Sequence, residues 1–291
     1  MTGTAGMTGM SRTWGRKLVS TLFVAFCALS VLVVLVPLAF VLFYVISEGV
    51  QALNVDFFTK MPKPVGETGG GMANAIVGTL MVTGLGSMFA IPIGILSGVY
   101  MSEYAGTRVA SLARFAADTL NGVPSIVIGV FVYGIAVLPF KQFSALAGGL
   151  ALGVMMIPII ARTTEELLLL VPGTMREGAL ALGATHARAV FSVVVPAALP
   201  GIITGVVLAL ARIAGETAPL LFTAFSNRFF TTHLTQPIAT LTVMVFTYAI
   251  SPYQDWHRQA WAGALVLVSI VLVCSLLARF ATRKIEGLQS N

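Results

Sequence analysis

Arg212 and Glu216 stand four residues apart in LALARIAGETAPLLFTA, and they are the only charges between Leu199 and Ala224. On one helix that spacing puts both side chains on one face, where they can pair. A charge near the centre of a bilayer costs at least about 2.5–3.5 kcal/mol on insertion scales, so such residues usually face a bundle interior or an aqueous path. A guanidinium offers a rigid fork of donors suited to a tetrahedral oxyanion. A carboxylate beside it can restrain the arginine or accept a proton from a protonated anion. The bland alternative is an ion pair that merely holds helices together, but an isolated pair in lipid repays its desolvation poorly. The chemistry points to a phosphate-like anion passing Arg212 and Glu216. Gly215 and Pro219 loosen the helix here and would let neighbouring backbone approach a ligand.

A second charge group, Arg162 with Glu165 and Glu166 in IPIIARTTEELLLLVP, lies late in another apolar run. Its acidic partners at i+3 and i+4 suit a simple interfacial salt bridge, and an anion relay on the same path is the other reading. Asp118, Asn121 and Pro124 in DTLNGVPSIVIG either line that path or cap a helix, and Pro124 disfavours helical geometry at Val123.

The elements that must carry these groups are membrane spans. Hydrophobic residues make up 57% of the 291, charged residues 10%, and mean hydropathy is +0.94, outside the soluble balance of about 25% charged. At roughly 20 residues per crossing the chain has room for six or seven spans. Apolar runs lie at 18–46, 75–100, 119–138, 145–170, 193–224 and 260–280. The first is too long for the core of a signal peptide and reads as a retained helix with a kink at Pro37. Ile238 to Ile250, 13 residues between Pro237 and Pro252, is short for a span and suits an interfacial or re-entrant piece. Cys27 and Cys274 sit inside apolar runs and read as small core residues. The net charge of +6 carries no basic cluster interleaved with aromatics, so nucleic acid is not an expected partner.

Parity settles the number of spans. With six and the N-terminus inside, the inner segments hold Arg12, Arg16, Lys17, Arg108, Arg114, Arg162, Arg176, Arg188, Arg279, Arg283 and Lys284. The outer loops hold Lys60, Lys63, Lys141, Arg228 and Arg258, so eleven stand against five with Arg212 in the membrane. A seventh span at 238–250 would move Arg279, Arg283 and Lys284 outside. The expectation is an all-α, polytopic, multi-pass membrane protein of six transmembrane helices, with both termini cytoplasmic.

On that topology residues 171–192 are cytoplasmic. Within TMREGALALGATHARAVFSVVVPAALP, Thr174 and Glu177 have capping-box spacing and Pro172-Gly173 ends the preceding helix. Gly183 then interrupts the new helix after about two turns, and Pro196 and Pro200 punctuate the next apolar run. A basic loop helix resting on lipid headgroups would look similar, with Arg176, His186 and Arg188 at the surface.

The segment resembles the coupling helix of ABC importer permeases. That signature is Glu-Ala-Ala, a Gly three residues on, and Ile-x-Leu-Pro after nine more. Here it reads Glu177-Gly178-Ala179, Gly183, and Val193-Val194-Val195-Pro196, with Gly for the first Ala and Val for Ile and Leu. GETAPLLFTA (215–224), NGVPSIVIGVFVYG (121–134), PIIARTTEELLLLVP (158–172) and AWAGALVLV (260–268) are similar to the PstA family of phosphate-importer permeases, over about residues 70–285. The resemblance implies a type I ABC importer permease fold in a bacterial inner membrane and a heterodimer with a PstC-like subunit. It also implies a dimer of ATPase subunits carrying ATP and Mg, and a periplasmic phosphate-binding protein. Glu177, Gly178, Ala179, Gly183 and Pro196 would contact the ATPase, while Arg212, Glu216 and Arg162 would serve the phosphate path.

No Gly-x4-Gly-Lys-Ser/Thr occurs, and Gly69-Gly70-Gly71 lacks the lysine, so ATP hydrolysis is expected on a separate chain. His186, His233 and His257 are too scattered for a metal site, and no nucleophile constellation accompanies them. This chain is therefore not expected to be an enzyme or to bind a cofactor, and membrane lipid surrounds it. An ion-coupled secondary transporter would often carry inverted repeats, which the halves do not display; a sulfate, molybdate or phosphonate importer would use the same oxyanion chemistry. The organisation expected is a tail over 1–17, the first helix and an outer loop over 18–70, the permease domain over 71–285 with its coupling segment at 174–190, and a tail over 286–291.

Overall fold

The structure is a computed structural model that describes the backbone of residues 7–289 and the side chains of 16–277, 279 and 280. Most of the tails at 1–17 and 286–291, and the side chains of Arg12, Arg283 and Lys284 from the charge tally, lie outside the described residues. The chain divides into two units, 1–48 and 49–291. The first is the bulk of one helix, α1 (Met7–Ala52), which runs through Pro37 without ending.

The second unit is all helix among the described residues. It holds α2 (Val55–Thr59), α3 (Ala73–Glu103), α4 (Arg108–Gly122), α5 (Ser125–Val132), α6 (Ala145–Leu169), α7 (Gly173–Ala181), α8 (His186–Ala189), α9 (Val195–Ala214), α10 (Ala218–Thr223), α11 (Leu241–Ala249) and α12 (Gln254–Gln289). Wide turns with i→i+5 bonding continue α5 over Tyr133–Val137 and join α8 to α9 over Val190–Val194. Pro196 has no N–H to return to Ser192, which is a local reason for the second wide turn.

The centre is the pair α3 and α6. Gly78, Val82, Gly86, Ala90, Gly94 and Gly98 form a buried stripe on α3 at four-residue spacing. Gly148, Leu152, Met156, Ile160, Thr164 and Leu168 do the same on α6. Small residues let the backbones approach: a Cβ built on Gly94 would stand 2.8 Å from Ile160 Cβ. The nearest partners advance together along both helices, from Gly86 against Gly149 to Gly98 against Thr164, so α3 and α6 run parallel. Two parallel spans need an odd number of crossings between them. Residues 104–144 supply one.

That crossing differs from the single straight span expected at 119–138. α4 and the Ser125–Val137 piece meet at 105°, with extended backbone at Val123 before Pro124. Proline excludes the helical geometry at Val123, so the chain turns there. Ser125–Val137 alone covers about 20 Å of the ~30 Å apolar core. Among the described residues five helices are long and apolar enough to cross a membrane, at 16–52, 73–103, 145–169, 186–214 and 254–277, and the bent pair, taken as one span, makes six.

α9 returns antiparallel to α6, with Gly201 against Leu167 and Gly205 against Thr163. The run expected over 193–224 is cut at Ala214, and α10 is a separate short helix. α11 is not a span. It is about 13 Å long, starts where Leu241 N–H donates to Thr79 Oγ1 at 2.8 Å, and stacks Tyr248 on Trp256 at 4.4 Å. Both cysteines are exposed rather than core residues. In a bilayer the outer surface is itself apolar, so an apolar run does not mark burial.

Candidate functional site

Arg212 occupies the last turn of α9, whose neighbours Ala209 and Ile213 are fully buried in the central core. α9 stops at Ala214, Gly215 N–H bonds back to Arg212 O, and Glu216 N–H to Ile213 O. α10 starts at Ala218, two residues past Glu216, and its second residue, Pro219, packs against Gly129 of α5, where a Cβ would come within 2.6 Å of Pro219 Cα. The helix thus ends before the turn that would align Arg212 with Glu216. The expected pairing is absent: neither residue forms an ion pair with any described residue. Arg212 is exposed and Glu216 half-buried on the surface of this chain. The break leaves the Arg212 guanidinium and the Glu216 carboxylate without an ion pair to any described residue, 7 and 11 residues past Gly205, which faces Thr163.

Arg162 sits differently. Its guanidinium holds Glu165, lies 2.8 Å from Asp118 Oδ1 and 3.9 Å from Glu166 Oε1. Glu165, only 1% exposed, also takes Arg114 Nε at 2.6 Å, and Arg114 Nη2 donates to Met101 O at 3.1 Å. The acidic neighbours at i+3 and i+4 were readable from spacing. Arg114 and Asp118 were not linked to them, because α4 folds back onto α6 only through the bend at Pro124.

The segment at 174–190 forms two short helices. α7 begins at Gly173 with Pro172 as its N-cap, and no side chain caps it. The expected capping box between Thr174 and Glu177 is therefore not formed; with Pro172 at the N-cap the helix starts two residues before a Thr174 cap would start it, placing Thr174 inside it. The other end matches expectation. Gly183 takes φ +83°, its N–H bonds Leu180 O, and Ala184 N–H bonds Ala179 O. This is a Schellman motif, which glycine adopts without Cβ strain. Thr185 Oγ1 then accepts from Arg188 N–H and starts α8. α7 has no buried residue; Glu177 and Gly178 are exposed, Ala179 and Pro196 half-buried, and Leu182 stands 91% exposed. The segment leaves a nine-residue helix exposed on the surface of this chain.

Sequence reasoning missed Glu103. Both Nε and Nη2 of Arg176 donate to its Oε1, at 3.0 and 2.9 Å, and His186 Nε2 faces its Oε2 at 3.5 Å. The partners lie 73 and 83 residues away, so no local spacing could have signalled them.

Residues 90–287 match the family of binding-protein-dependent transport system inner membrane components. The chain is 43% identical over 269 residues to the phosphate transport system permease protein PstA of Haemophilus influenzae, covering 92% of this chain and 95% of that one. It is 44% identical over 250 residues to the PstA of Yersinia pestis, covering 85% of each. Among solved structures it is similar in fold to a bacterial alginate ABC transporter chain, with TM-score 0.63, 16% identity, and 94% and 98% coverage. It is also similar to a chain of the MetNI methionine ABC transporter, with TM-score 0.59, 19% identity, and 74% and 94% coverage.

Proposed function

The chain belongs to the binding-protein-dependent transport system inner membrane components, and from that footing we propose that it is the permease subunit of an ATP-driven phosphate importer. The observation that carries the reading is the identity to phosphate permeases along nearly the whole of both chains. The geometry supports it. Arg212 lies exposed and Glu216 half-buried at the break between α9 and α10. A charged face inside a bilayer needs protein or water against it. A homologous, PstC-like subunit across that face would complete a path in which Arg212 forks onto phosphate oxygens and Glu216 restrains it or accepts a proton. Arg162, one-quarter exposed among its carboxylates, would relay the anion toward the α7 end.

A dimer of ATPase subunits, holding ATP and Mg, would receive α7 through Glu177, Gly178, Ala179, Gly183 and Pro196. The positive-inside tally puts α7 and both termini in the cytoplasm, and a periplasmic phosphate-binding protein would deliver cargo from the other side. ATP-driven closure of the motor would then switch access to the path between the two sides.

The test is phosphate uptake by the reconstituted complex. Arg212→Gln is expected to abolish uptake with the complex assembled in wild-type amount; normal uptake would overturn the path assignment. Excess sulfate is expected to leave wild-type uptake unchanged, and equal suppression would move the substrate assignment to oxyanions in general.

A further inference from the structure

We propose that Glu103 is a positioning residue that fastens the coupling segment to α3, so that α3 receives the motor's movement together with α6. The inference rests on the reading of α7 as the ATPase contact.

α7 is a nine-residue helix without a single buried residue. Its apolar contacts are at the surface, where Met175 lines a groove with Leu167, Ala198 and Gly201, and a helix this short is marginal by itself. Its polar attachment to the ends of α3 and α6 is the Arg176 side chain, which reaches three places. Nη1 donates to Val171 O and Nη2 to Leu168 O, both at 3.2 Å, satisfying carbonyls at the end of α6. Nε and Nη2 converge on Glu103 Oε1 at the end of α3.

Glu103 is placed against its own helix's interest. It is the last residue of α3, where the negative end of the helix dipole disfavours a carboxylate, and its side chain is only 5% exposed. Among the described residues the charge on Glu103 is met from across the gap by Arg176, with His186 Nε2 facing its other oxygen. The two partners lie on either side of Gly183: Arg176 on α7, His186 at the start of α8. One carboxylate therefore fixes the angle between the two short helices and ties both to α3. Because α3 interlocks with α6 from Gly86 to Gly98, a displacement of α7 reaches the central pair as one body.

The experiment measures ATP hydrolysis and phosphate uptake together in vesicles containing the whole complex. Glu103→Gln keeps the size of the side chain and removes its charge. Uptake per ATP hydrolysed is expected to fall about tenfold while the ATPase subunit still co-purifies. Rescue comes from re-tying the same two helices: with Cys27 and Cys274 replaced by alanine, Glu103→Cys with Arg176→Cys is expected to be uncoupled until a short bis-thiosulfonate bridges the pair, and then to recover. Should Glu103→Gln fail to assemble, the bridged pair decides. An assembled, bridged complex that hydrolyses ATP without uptake overturns the inference, as does Glu103→Gln with uptake per ATP within twofold of wild type. A wild-type complex with no ATP-linked phosphate uptake overturns the underlying functional reading instead.

Discussion

Arg114 Nε lies 2.6 Å from Glu165 Oε1 and joins α4 to α6 through a carboxylate that is 1% exposed. The same carboxylate holds Arg162, so one buried anion serves two arginines, each about one-quarter exposed. Removing it takes the carboxylate from Arg114 and leaves Arg162 with Asp118 and Glu166 alone. Breaking a buried pair from one side costs roughly 3–5 kcal/mol, and partial exposure of the arginines brings the expected cost of Glu165→Ala to about 3 kcal/mol. Thermal unfolding of the purified subunit in mild detergent should show a lowered Tm together with loosened packing of α4. An unchanged Tm would mean that the cluster does not hold α4.

The two glycines of the coupling segment should respond oppositely to alanine. Gly178 lies within α7 with nothing within 4 Å of a built Cβ. Alanine there gains helix propensity of about 0.5–1 kcal/mol and leaves the surface otherwise unchanged. Gly183→Ala forces a Cβ into φ +83° at the Schellman turn, a penalty of about 1–2 kcal/mol. Phosphate uptake and ATPase co-purification are expected to survive the first change and to drop with the second. Equal behaviour of the two variants would dissociate the turn from coupling.

Much of this was legible because bilayer thickness dictates run length. The apolar stretches around 75–100 and 145–170 became α3 and α6, and the Gly183 stop followed from a local conformational demand that only glycine meets cheaply. The misses share one physical cause: spacing reports neighbours within a turn of helix and nothing further. Arg162 with Glu165 was readable, whereas Asp118, Arg114 and Glu103 find partners 44, 51 and 73 residues away. Conversely, the i,i+4 pairing of Arg212 and Glu216 presumed a helix that Gly215 ends. Pro172 likewise displaced the capping box by starting α7 early.

Tyr248 makes an alkaline prediction. Its ring stacks on Trp256 and it is 6% exposed. Burial raises the phenol above its usual value near 10, and the charge of Arg228 opposes this only in part. Below pH ~10 the phenol is neutral folded and unfolded, and its full contribution is present. As pH rises through the unfolded value toward the folded one, the unfolded chain ionises first, and stability falls by up to about 1.4 kcal/mol per pH unit. Tyr248→Phe keeps the stack and should flatten that loss in denaturation series between pH 9 and 11. A variant with the wild-type slope would place the loss on other groups.

Stability and transport should separate at Glu216. A charge that pairs within its chain contributes to folding; one that does not can be neutralised with little effect on it. Glu216 forms no ion pair with any described residue and is half-buried, so Glu216→Gln is expected to change subunit stability by less than about 0.5 kcal/mol. In the assembled complex the same change removes the carboxylate that would restrain Arg212 or take the proton from the cargo. Phosphate uptake should therefore fall at least tenfold at unchanged Tm. A matching fall in Tm would instead make Glu216 a structural charge and leave Arg212 to act alone.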